Sequence, residues 1–107
     1  MALFETLLQI DSDLTDWMIH ASPTTDGQHT AMRRVFALRA DLEQHLNTLV
    51  AYRLQIAAAD FSGEASDLNA AAARIKQVDK TIDTVQEVLS VADTTVSIAD
   101  KILAVVA

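Results

Sequence analysis

The residues best suited to chemistry in this 107-residue chain are its three histidines and its clustered aspartates. His45 is the one polar residue on an otherwise apolar helical stripe formed by Val35, Leu38, Leu42, Leu49, Tyr52, Ile56 and Ala59. An imidazole there could ligate a metal or titrate near neutral pH, with Asp41 one turn earlier or Asp79 on a following helix as its partner. It could equally be a hydrogen-bonded seam residue that fixes register. A metal site in a bundle needs several convergent ligands, and the Glu-x-x-His spacing that supplies two from one helix face does not occur. Glu43 and His45 are two positions apart and point to different faces. Register-fixing is therefore the expectation for His45. The alternative is a bundle that binds a metal or small cofactor through His45 and nearby carboxylates.

Asp11, Asp13 and Asp16 share only composition with the start of a calcium loop. The required glycine and closing glutamate are missing, and Leu14 and Trp17 carry the helical stripe through them. They are expected to be a solvated face, with Trp17 a core anchor near the first turn. His20 and His29 flank that turn and are expected to be surface residues. No Gly-rich phosphate loop, Gly-x-Ser-x-Gly elbow or spaced triad is present. The chain also has no cysteine, which removes disulfides, thiolate metal sites and thiol nucleophiles. No catalytic residue, metal or cofactor is assigned, and the expectation is a protein that is not an enzyme.

Composition points to the elements that carry these residues. Half the residues are apolar and only 5% aromatic, with two glycines and one proline to make turns. A sandwich or barrel needs a turn about every 8–12 residues, so long helices are favoured. The net charge is −7, from eight basic and fifteen acidic residues, which repels phosphate backbones and anionic lipid. Neither nucleic acid nor membrane is expected as a partner. The segment from Met1 to Ile10 is apolar but carries Glu5 and lacks basic residues, so it does not read as a signal peptide. A cytoplasmic location is expected.

The helical pattern is explicit. Leu68, Ala71, Ile75, Val78, Ile82, Val85, Leu89, Ala92, Val96, Ala99, Leu103 and Val106 alternate steps of three and four without an error. That 3.5-residue repeat is the mark of a supercoiled helical seam. The His45 stripe follows it, and so do Leu3, Leu7, Ile10, Leu14, Trp17 and Ala21. Between the segments, Ser22-Pro23 and the pair Thr25/Gln28 offer two possible starts for the second helix. Ser62 or Ser66 could cap the third.

The spacing predicts one all-α domain over residues 1–107, with helices near 2–21, 24–60 and 64–106. The third, at about 40 residues, would be about 60 Å long. A short second turn makes helices two and three antiparallel, so this is a long helical hairpin with a shorter N-terminal helix, an up-down coiled-coil-like bundle. Folding back at the first turn pairs Leu14 with Val35 and Leu7 with Leu42, and sets the Asp cluster near Arg33, Arg34 and Arg39. From Val88 onward a second apolar line (Val88, Val91, Ile98, Ile102, Val105) marks where helix one is expected to arrive. Residues 47–77 would then form a bare two-helix tip, leaving Val50, Leu54, Ala57, Ala70 and Ala73 as a surface suited to close approach. A homodimer that buries this surface is expected, with another helical protein as a further possible partner. In function, the sequence points no further than a helical interaction or structural module.

Overall fold

The computed structural model describes residues 3–56 and 58–106. Within them lie four α-helices, α1 (Leu3–His20), α2 (Asp26–Leu49), α3 (Ser62–Gln77) and α4 (Val85–Val106), and no strand. Short 3-10 segments at Val50–Gln55, Ala58–Phe61 and Ile82–Thr84 complete the element order. The bundle measures 43 × 23 × 18 Å. A helix of about 60 Å does not fit that envelope, and the two long helices read from the sequence are both interrupted.

The first interruption follows Leu49. Here α2 tightens into the 3-10 segment Val50–Gln55 and leaves helical geometry at Ile56, whose ψ is 93°. The second follows Gln77, where Val78 (ψ 134°) and Thr81 (ψ 158°) are extended before the chain re-enters α4. Breaking both helices lets every long apolar face close on another within one chain. Helix α2 packs chiefly on α4, α1 packs on α2 and α3, and α3 packs on α4. The four helices form a ring in the order α1, α2, α4, α3. The connection from α2 to α3 therefore crosses the bundle diagonally.

Directions follow from contacts at the two ends. Trp17 and Asp16, late in α1, meet Thr84 and Lys80 in the α3–α4 bend. His45, late in α2, meets Asp100, late in α4. Thus α1 and α3 run parallel, α2 and α4 run parallel, and each hairpin, α1–α2 and α3–α4, is antiparallel. The bare tip expected over residues 47–77 is replaced by α3 folded onto α1 and α4. The second apolar line of α4 is buried at Val88, Val91, Ile98 and Ile102, while α4 as a whole packs most on α2, then on α3, and least on α1.

The core runs the length of the ring. Leu3, Leu7, Ile10, Leu14, Trp17 and Ala21 of the first stripe are all buried, as are Val35, Leu42 and Leu49 of α2. Thr95 is fully buried in α4 and stays satisfied by donating its hydroxyl proton to the Val91 carbonyl, 2.8 Å away. At the start of α2 the second of the two possible signals is used. Thr25 is the N-cap, its Oγ1 accepting from the Gln28 N–H at 3.1 Å while Gln28 Oε1 accepts from the Thr25 N–H at 3.2 Å. Neither Ser62 nor Ser66 caps α3, since Phe61 holds the N-cap position without a side-chain hydrogen bond.

Candidate functional site

His45 lies on α2 with its side chain 23% exposed, facing α4, and its Nε2 is 3.8 Å from Asp100 Oδ1. The two carboxylates named for it from sequence are not its partners. Asp79 sits in the α3–α4 bend at the opposite end of the bundle, and no hydrogen bond or ion pair joins Asp41 to His45. Asp100 is 75% exposed, so the pair is a rim contact across the α2–α4 seam. Among the described residues no group of three or more His, Asp or Glu side chains converges as a metal site would require. What the pair can do is set the register of two parallel helices. Sequence reasoning missed Asp100. The available signal was that Asp100 and Lys101 are the only charges between Val96 and Ala107.

The aspartates divide by helix face. Asp11 turns inward along the α1–α2 seam, where Arg39 reaches across from α2. Arg39 Nε donates to Thr15 Oγ1 at 2.7 Å and lies 3.8 Å from Asp11 Oδ1, while its Nη2 donates to Glu43 one turn on. The expected meeting of acidic and basic clusters is thus made by Arg39. Arg33 bonds Thr30 on its own helix instead. Burial raises the Asp11 carboxyl above its ordinary value, the nearby Glu43 charge adds to this, and Arg39 opposes it. Beside this network Leu8, Asp11, Glu43, Leu46 and Asn47 line a cavity of about 250 Å³.

Asp16 turns toward the bend. Its carboxylate pairs with Lys80, whose hydrogen bond holds it below the usual aspartate value. His20 Nδ1 lies 2.8 Å from the Asp16 carbonyl, and among the described residues nothing joins His20 to His29. Trp17 is buried as expected, and its Nε1 donates to Thr84 Oγ1 at 3.0 Å. Asp13, Asp16, Trp17, Ile75 and Val78, with Lys76 and Lys80, surround a cavity of about 130 Å³ at this corner. Its polar walls are of mixed sign and already partly paired, so it offers no single ligand chemistry.

The surface read for self-association is divided between two elements. Val50 and Leu54 are exposed on the 3-10 segment after α2, while Ala70 and Ala73 are exposed on α3. Ala57 lies outside the described residues. Val105, not included from sequence, is exposed near the end of α4. Because α2 and α4 are parallel, Val105 shares the crossover end of the bundle with Val50 and Leu54. No helix among the described residues is long and apolar enough to cross a membrane. No family model matches the chain, and neither does any curated protein or solved structure.

Proposed function

We propose that this chain is a non-enzymatic helical interaction module, cytoplasmic, that self-associates through the crossover end of its bundle and can dock a partner's helix. The observation that supports this reading is the exposure of three aliphatic side chains at that end: Leu54 at 95%, Val105 at 70% and Val50 at 47%. Leu8, Ile19 and Phe36 are also exposed, but singly and on other parts of the bundle, which is ordinary, whereas three at one end suit a contact surface. Burying one such side chain contributes about 1.5–3 kcal/mol. Two-fold pairing would bury each of them twice with one self-complementary patch. The charge of −7 disfavours nucleic acid and anionic lipid as alternative partners.

Sedimentation equilibrium tests the reading. The wild-type chain is expected to dimerise at micromolar concentration, and Leu54→Glu should weaken that dimer at least about tenfold, equivalent to about 1.4 kcal/mol. A wild-type monomer at high concentration would reject self-association. An unchanged dimer in Leu54→Glu would reject this surface.

A further inference from the structure

From Leu68 to Val106 the seam keeps its three-and-four spacing unbroken, yet the backbone leaves the helix at Val78 and resumes it only through Ile82–Thr84. A helix usually ends where its own chain ends it, at a glycine, a proline or a side-chain cap. None of these acts here. Neither glycine nor proline occurs after Gly63, no residue of the described chain has positive φ, and Thr81, the N-cap of the Ile82–Thr84 3-10 segment, makes no side-chain cap hydrogen bond. The β-branched residues Val78, Thr81 and Ile82 lower helix propensity by only a few tenths of a kcal/mol each, to order of magnitude.

The bend is fastened by its own Thr84 hydroxyl and, through that hydroxyl and Lys80, from outside. Trp17 donates to Thr84 Oγ1, which lies 2.8 Å from both the Asp79 and Thr81 carbonyls, so one hydroxyl ties α1 to the turn. Asp16, the neighbour of Trp17, pairs with Lys80 in the middle of the turn. Both outside fasteners reach the bend from α1. The seam itself is imperfect there, because Val78 and Ile82 are only half-buried while Ile75 and Val85 on either side are buried.

We propose that the α3–α4 bend is a hinge clasped by α1, and that its open form, with residues 62–106 as one helix, is captured by a second copy of this chain through exchange of α4. In the exchanged pair each α4 occupies the partner's site on α2 and α3, so every packed interface of the closed bundle is recovered between chains. The two forms then differ only at the hinge. Closure keeps the Trp17 and Asp16 contacts, and opening restores about one turn of backbone hydrogen bonds and a continuous seam. This inference rests on the proposed self-association for its second copy, and is a mode of pairing separate from the crossover-end surface, since exchange leaves Leu54 and Val105 uncovered. The hinge itself is read within one chain.

Because the chain has no cysteine, Ser66→Cys with Lys101→Cys places two spin labels on exposed positions without background. Labelled chain is diluted into unlabelled chain so that only distances within one chain are measured. In the closed bundle the labels sit on adjacent packed helices, about 20 Å apart or less. A straight helix separates them by about 53 Å. Trp17→Phe with Lys80→Ala, which loosens the clasp, is expected to raise the long-distance fraction several-fold in the dimer pool. Asp79→Ala with Thr81→Ala favours helix at the hinge and leaves the clasp residues in place, so it gives the same test without weakening α1. Short distances alone in the second variant overturn the hinge, and if its mass is that of a dimer, self-association by another surface still stands. Long distances confined to monomers overturn capture by a second copy.

Discussion

Arg39 and Thr15 are joined across the α1–α2 seam by a 2.7 Å hydrogen bond from Nε to Oγ1, and the same guanidinium neutralises Glu43 on its own helix. One side chain therefore satisfies groups on both helices, beside an Asp11 carboxylate that burial has made costly to ionise. Arg39→Ala should lower stability by about 1–3 kcal/mol, as loss of a hydrogen-bonded charge at a part-buried site does. Arg39→Lys should recover only part of this, since an ammonium cannot address both partners with a planar fork. Urea denaturation monitored by helical circular dichroism reads the difference. Equal midpoints for wild type and Arg39→Ala would show that the network contributes nothing.

The Asp11 carboxyl gives a pH dependence of defined sign. Its value in the folded chain is raised above the ordinary 3.8, chiefly by burial. Between those two values the folded chain binds more protons than the unfolded chain. This group's contribution is thus most favourable at acid pH and is lost as pH rises through the folded value. Asp16 and Glu87, held low by Lys80 and Arg74, act oppositely, their contribution being lost as pH falls through their folded values. Asp11→Asn isolates the first effect. It should melt above wild type at neutral pH, with the gap narrowing toward pH 4. A gap that widens on acidification contradicts the assignment.

Core truncations should grade with burial. Leu42 is fully buried where α2 faces the centre of the ring, so Leu42→Ala should cost about 2–5 kcal/mol. Ile82 is only half-buried in the bend, and Ile82→Ala should cost distinctly less. Asp13 is half-buried, with Oδ1 accepting from Gln9 and Oδ2 buried without a partner, so Asp13→Ala removes an unpaired oxygen and should destabilise by no more than about 0.5 kcal/mol. Denaturation midpoints of the three variants in one buffer test the order. Ile82→Ala matching Leu42→Ala would indicate a bend as tightly packed as the core.

Much of this was legible from spacing, and the rest failed for an identifiable reason. The all-helical class, the buried stripe of α1, the Thr25/Gln28 cap and the meeting of acidic residues with an arginine all follow from local pattern. The break at Val78–Thr81 did not, because two of the residues that hold it, Asp16 and Trp17, lie more than sixty positions upstream. Folding-back arithmetic adds residue numbers about a turn and can find only antiparallel neighbours. It recovered the α1–α2 pairing, with Arg39 opposite Asp11 and Thr15. It could not find the parallel α2–α4 pair, in which numbers keep a difference near 55, as His45 and Asp100 do. The extra apolar line on α4 was visible in the sequence, and Val88, Val91, Ile98 and Ile102 are buried.

The diagonal connection also gives the molecule two unlike poles. Leu3, Val106 and the crossing segments gather at one, while the other holds only the α1–α2 turn and the clasped bend. Any polypeptide or label joined beyond either Leu3 or Val106 would project from the crossover pole. The pole where Trp17 fastens the bend would stay unobstructed, so tethering the bundle to a surface through either side leaves its clasped corner facing outward.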